Sequence, residues 1–314
     1  MKLTPNGVEV TAMFMLTLQQ VLKLFVFMLI GFTLYRTKTL PKETASILSK
    51  LEVNLLLPCL TFQTFAQNFT MEKLTSYSEM LLIALISTVI TLIFGTVVGR
   101  RLGKEHYEQN VCIYSINCPN TGYVGTPLVL GLFGSETLMK MLVFTIPLVC
   151  YTYSEGYRLL TDKRGINIRN FIAPPLIAMF IGAFVGLLQI PMPAIFSDVI
   201  SGCADCMAPL AMILTGCIIS QFRFRDILRN RHIYEVVALR MIAVPLVVLT
   251  AGKLLRLNAE TMLLLAAVFT MPTGLNTIVV PAAMNKDCTL GAGMTCVSNV
   301  FGLLSIPLFF AIFL

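Results

Sequence analysis

The chain has 314 residues, 56% of them hydrophobic and only 12% charged, with a formal net charge of +7. Its mean hydropathy is +0.82. A soluble domain carries about 25% charged residues, so a soluble globule is excluded and an all-α polytopic membrane protein is expected.

A helix that crosses a bilayer needs about 20 mostly apolar residues. Windows of that size predict ten spans. The first, near 12–35, is long and polar-interrupted and lacks a convincing cleavage site, so no cleavable signal peptide is expected. It carries Lys23 one turn after Gln19, on the same face. A lysine at that depth is costly. It either neutralises an anionic substrate, or it snorkels outward or pairs structurally, and the latter two are the commoner outcomes.

Span two, near 44–66, contains "LEVNLLLPCLTF", with Asn54 and Gln63 as packing groups. Span three lies near 78–100. Span four, near 109–132, is interrupted by "NCPNTGYVGTP" at Asn117–Pro127, with two prolines, two glycines and two asparagines. Span five, near 138–159, carries Glu155 among Tyr151, Tyr153 and Tyr157 near its end. Glu155 is the candidate for a proton-linked carboxylate, with an interfacial, solvated Glu as the alternative. A polar linker at 161–170 separates a first five-span half, 1–160, from a second, 171–314.

The second half supplies spans near 171–190, 194–221, 233–255, 261–284 and 289–313. Cys203 and Cys206 form one isolated CxxC without the usual partner ligands, and His106 and His232 lie in charged loops, so no metal site is expected. Arg240 is placed towards the inner end of span eight, where structural pairing or headgroup contact is expected. Span nine is interrupted at Pro272–Pro281, and span ten carries Ser298 and Asn299.

The charges predict the topology. With both termini outside, the inner segments hold sixteen basic residues, from Arg36 to Lys286, and the outer ones five: Lys2, Lys73, Lys140, Lys253 and Arg256. Positive residues concentrate inside. That asymmetry accounts for the net charge without a nucleic-acid partner, and the expected surroundings are a cell membrane.

The prolines reveal a repeat. Pro58, Pro119, Pro127 and Pro147 recur as Pro209, Pro272, Pro281 and Pro307, at offsets of 151, 153, 154 and 160 residues. Proline inside a helix removes a donor and clashes with the preceding turn, so four matched pairs argue for duplication. Five spans per half is odd, so the second copy enters the membrane from the opposite side. Inverted repeats with broken helices in matching positions are a signature of secondary transporters. Backbone freed at such breaks must be buried in protein or line a cavity. Spans four and nine are therefore expected to cross and form a binding site. Its candidate residues are Asn117, Pro119, Asn120, Thr121 and Gly122 from the first half, with Pro272, Thr273, Gly274, Asn276, Thr277 and Asn299 from the second. Amides both donate and accept hydrogen bonds, and helix N-termini favour anions. Ordinary proline kinks with polar interhelical contacts are the alternative.

"SINCPNTGYVGTPL" and "LEVNLLLPCLTF" resemble the auxin efflux carrier family, the bacterial carriers related to plant PIN proteins, and the resemblance covers essentially the whole chain. It implies a fold similar to bile-acid and sodium–proton carriers, with a scaffold bundle of spans 1, 2, 6 and 7 and a transport bundle of spans 3, 4, 5, 8, 9 and 10. It also implies movement of a small organic anion, a carboxylate such as malate or malonate, and a possible homodimer through the scaffold. The long cytosolic loop of large plant members is absent. The sequence lacks HExxH, GxSxG and P-loop motifs, so an enzyme is not expected. No cofactor is expected, and the coupling ion is left open because the breaks contain no Asp or Glu. An organic-anion channel or a receptor of the same fold is the competing function.

Overall fold

The computed structural model describes residues 7–70, 77–161, 174–222, 230–282, 284 and 286–314. They are 84% helical, with no strand among the described residues. The expected linker at 161–170 lies, except for Thr161, outside them.

In chain order the helices are α1 (Gly7–Arg36), α2 (Thr44–Asn68), α3 (Tyr77–Gly99) and α4 (His106–Asn117). Then come α5 (Thr121–Phe144), α6 (146–161), α7 (Pro174–Leu188) and α8 (Ala194–Ile219). The last four are α9 (Arg231–Leu254), α10 (Ala259–Phe269), α11 (Asn276–Ala282) and α12 (Thr289–Phe313). Among the described residues, seven helices are long and apolar enough to cross a bilayer: α1, α2, α3, α5, α8, α9 and α12. The chain is a multi-pass membrane protein.

The difference from ten predicted spans has a local cause. The window near 109–132 is α4 plus the start of α5, interrupted at Cys118–Asn120, and the window near 261–284 is α10 plus α11, interrupted before Asn276. α5 is itself bent at Gly134, whose backbone is non-helical (φ 81°, ψ −178°). The chain turns there, and the window near 138–159 follows as the rest of α5 and α6.

Three wide π turns sit just ahead of prolines: Glu52–Leu56 before Pro58, Thr121–Gly125 before Pro127 and Leu239–Ala243 before Pro245. Proline has no N–H and crowds the carbonyl one turn back, and a widened turn absorbs both effects.

The packing is inverted relative to a soluble protein. Along α3, Leu82, Leu85, Ile86, Val89 and Ile93 are exposed, while Ser87, Thr88 and Thr91 are buried. Ser87 and Thr91 donate to carbonyls of their own helix, at 3.1 and 2.7 Å. An apolar stripe of that extent suits lipid, not water.

Backbones meet through glycine. A Cβ at Gly216 of α8 would stand 1.9 Å from the Met28 carbonyl of α1, and one at Gly31 would stand 2.1 Å from the Ile213 carbonyl. On α7, Gly182 and Gly186 lie against the Phe62 and Phe65 carbonyls of α2. Small residues four apart allow such close approach, which is how helices gain contact where lipid offers no hydrophobic drive.

Candidate functional site at the helix crossing

α4 ends at Asn117 and its capping residue, Cys118, is extended (φ −106°, ψ 100°). Pro119 cannot continue the helix. Asn120 then starts α5, its Oδ1 accepting from the Tyr123 N–H at 3.1 Å. α10 ends at Phe269, and Pro272 precedes the start of α11. The two interruptions lie antiparallel, bridged between Pro119 and Thr273. The Asn120 N–H donates to the Pro272 carbonyl at 2.7 Å, and the Gly274 N–H to the Cys118 carbonyl at 3.0 Å. The Thr273 N–H donates to Ser298 Oγ of α12 at 3.1 Å. Each break thus supplies the partners the other lost, as buried backbone requires. A Cβ at Gly274 would stand 3.2 Å from the Cys118 carbonyl, so glycine marks the contact itself.

Arg240 of α9 is fully buried beside this bridge. Its Nη1 donates to the Ile116 carbonyl at 3.1 Å and its Nε to the Met271 carbonyl at 3.0 Å. Its Nη2 reaches the Val268 and Phe269 carbonyls at 3.3 and 3.1 Å. The Ile116, Val268 and Phe269 carbonyls end α4 and α10, which have no intrahelical donors left for them, and the Met271 carbonyl lies in the interruption just beyond α10. One planar guanidinium therefore caps two helices at once. The sequence pointed to a structural partner for Arg240 but not to these carbonyls or to a place at the crossing, although an arginine inside "VVALRMIAVPLVV" was itself a signal.

The predicted site residues divide. Pro119, Asn120, Pro272, Thr273 and Gly274 are together at the crossing, and Asn120 Nδ2 is buried with no hydrogen-bond partner. Thr121 and Gly122 follow on the first turn of α5, half-buried, with open space around Gly122. Asn276 bonds to the Tyr114 side chain. It lines a cavity of about 140 Å³ with Tyr114, Thr152, Tyr153, Tyr157, Leu160 and Val280. Thr277 is buried, bonding to the Gly274 carbonyl at 2.9 Å and sharing a 3.1 Å hydrogen bond with Thr295.

Four residues are placed elsewhere. Asn117 Nδ2 donates to the Tyr151 hydroxyl at 3.1 Å, and its Oδ1 packs where a Gly95 Cβ would be, so it holds α4 against α6 and α3. Asn299 bonds to the Thr295 carbonyl at 2.8 Å and lines, with Pro272, a second cavity of about 20 Å³ beside α1 and α8. Lys23 is exposed on α1. Glu155 is paired with Arg158 at 2.6 Å, and its side chain is 43% exposed.

The model of the family described as "Membrane transport protein" matches residues 16–167 and 163–310. An uncharacterized transporter of Methanothermobacter thermautotrophicus is 25% identical over 303 residues, covering 94% of this chain and 98% of its own. One from Methanocaldococcus jannaschii is 22% identical over 305 residues, with the same coverage. One from Escherichia coli K12 is 21% identical over 300 residues, covering 91% of this chain and 94% of its own.

Proposed function

The chain belongs to the auxin efflux carrier family of membrane transport proteins and is a transporter, and we propose that it moves a small organic anion, a mono- or dicarboxylate, by alternating access around the crossing. The observation that carries this reading is Arg240. A helix end bears roughly half a unit charge, negative at the C-terminus and positive at the N-terminus. The ends of α4 and α10 together bring about one negative charge, which the guanidinium cancels while bonding to their carbonyls. The start of α5 is left with about half a unit of positive charge, and neither interruption contains an acid. Asn120 Nδ2 and the Asn276 amide supply neutral donors there. A neutral donor suits a carrier, which must release what it holds.

Within the same proposal, α4 with the start of α5, and α10 with α11, are the fourth and ninth of ten spans. The halves are inverted repeats in the cell membrane, with both termini outside. The glycine contacts of α1 on α8 and of α2 on α7 support a rigid bundle of spans 1, 2, 6 and 7. The remaining spans move against it. A homodimer through that bundle is part of the same proposal.

The test is a thermal-shift screen of carboxylates, with malonate, malate and acetate as probes, followed by vesicle uptake of any hit. Losing one donor to a charged acceptor costs about 1.5–3 kcal/mol, or roughly 10- to 150-fold in affinity. Asn276→Ala is expected to lose that much. Asn120→Asp retains the oxygen that caps α5, so it keeps the fold and abolishes anion binding. Full affinity in both variants, or a hit from cations or neutral sugars alone, would overturn the reading.

A further inference from the structure

A second feature near the crossing is a carboxyl group that nothing holds. Glu52 opens the π turn Glu52–Leu56 of α2. It is 1% exposed, the one buried acid among the described residues, and neither carboxylate oxygen has a hydrogen-bond partner. Burying an ionised carboxylate without donors is strongly unfavourable, whereas the neutral acid pays far less desolvation. The enclosure therefore accepts the protonated form.

Among the described residues the surroundings offer no counter-charge. The turn packs against α7, α8 and the rest of α2. α7 has no titratable side chain, α2 contributes Lys50 and Cys59, and α8 contributes Asp198, Asp205 and three cysteines, Cys203, Cys206 and Cys217. Lys50, Asp198 and Asp205 are exposed, and none of these groups bonds to Glu52. From α5, Tyr123 lies within electrostatic reach of Glu52, and its hydroxyl bonds to Ser49, one turn back on α2. Tyr123 belongs to the π turn that follows the first break. It also lies within reach of Tyr153, which lines the cavity beside Asn276. Through the Tyr123–Ser49 bond, the turn that follows the first break is therefore fastened to the turn of α2 just before Glu52.

We infer that Glu52 is a proton-binding site whose occupancy is tied to the conformation of the crossing. The proton sits on a Glu52 carboxylate oxygen while α2, α5 and α8 enclose it. When α5 moves away from α2 and α8, which stay together, Glu52 is uncovered, the proton passes to water and the carboxylate is left ionised and hydrated. Raising the pH therefore favours the opened form and lowering it favours the enclosed one. This gives the transporter a means of coupling to protons, and it does not depend on the cargo being an anion.

The experiment uses the full chain in lipid nanodiscs with no substrate added. Infrared difference spectra across pH 5–9 read the C=O stretch of protonated carboxyls. Solvated carboxyls titrate near pH 4, so a band persisting at pH 7 comes from an enclosed acid. Wild type is expected to show it, Glu52→Gln to lose it and Glu43→Gln, altered at an exposed position, to keep it. Hydrogen exchange over residues 44–60, corrected for the intrinsic rate, then reads opening. Wild type should open about tenfold more per pH unit between about pH 4, where a solvated carboxyl titrates, and the midpoint of the band, and level off above it, the slope for one proton released on opening. Glu52→Gln, a mimic of the neutral acid, should be flat. Absence of the band at pH 7 in wild type overturns the inference without requiring any variant to fold. A Glu52→Gln protein that opens with the wild-type slope overturns the linkage. Both readouts are indifferent to the carboxylate screen, so the two proposals fail separately.

Discussion

Arg240 shows what a single residue can contribute where water is absent. Three carbonyls at two helix ends and a fourth in the interruption after α10 depend on one side chain whose donors are fixed in a plane. Lysine carries the same charge on one nitrogen with three donors and lacks the fork. Arg240→Lys is therefore expected to leave at least one helix end uncapped and its own charge poorly bonded. The loss should be about 3–5 kcal/mol, the range for breaking one side of a buried charged contact. Thermal melting of the purified variant without substrate checks this, and a melting point equal to wild type would refute it. The asparagines were legible in the sequence because prolines and glycines announce the breaks around them. Their directions were not. Once a helix is interrupted, the phase of the next turn is free, and Asn117, three residues from Asn120, faces α6 instead of the crossing. Arg240 was hidden for a related reason: its position in a span says nothing about which distant ends it meets, and Ile116 is 124 residues away.

At the scale of elements, the existence of both interruptions was readable, but each is shorter than the expected Asn117–Pro127 and Pro272–Pro281, because the chain is helical again from Thr121 and from Asn276; the excess of helix was readable too. Proline and glycine act locally, so their consequences are visible in the sequence. The π turns were not, since they redistribute bonds within a helix without changing its apolar pattern. Gly134 also went unremarked, because a lone glycine in an apolar run resembles any packing glycine. Its φ of 81° with ψ of −178° lies in a region essentially restricted to glycine, and nothing stands within 4 Å of a Cβ built there. Space is therefore no obstacle to Gly134→Ala, and the backbone is. The substitution should cost about 1–3 kcal/mol through strain alone. Gly202→Ala is the control: it too has open space around the added carbon, but its backbone lies within α8. That change should be neutral or slightly stabilising, since alanine is the better helix former. Denaturation of the two variants side by side separates conformation from crowding. Equal stabilities would mean that the bend at Gly134 is not needed.

The whole molecule is organised by two solvents, lipid around its sides and water at its ends, and composition alone made that legible. The ends can be told apart by contacts that do not depend on where the membrane lies. Lys286 donates to the Thr161 carbonyl at 3.0 Å and sits 4.8 Å over the Tyr107 ring, while the Tyr107 hydroxyl donates to the Asp287 carbonyl at 3.3 Å. The start of α4, the end of α6 and the approach to α12 therefore share one end. Lys140 pairs with Glu260, which joins the turn after Gly134 to the start of α10. If each interrupted helix counts as one crossing, the orientation proposed from the excess of basic residues puts the first group at the cytosol and the second at the exterior. Single cysteines at Lys104, Glu136, Arg256 and Lys286, in a chain whose exposed Cys150 and Cys206 are serine, make this measurable. A membrane-impermeant maleimide on intact cells should modify positions 136 and 256 at once, and positions 104 and 286 only after permeabilisation. The opposite pattern would invert the orientation but keep the fold. Modification of 104 and 136 from the same side would be more damaging. It would mean that α4 and the start of α5 enter and leave by one face, so the two breaks could not meet as halves of spanning helices. The crossing would then be a re-entrant pair, and alternate exposure of a site within it would need a different motion.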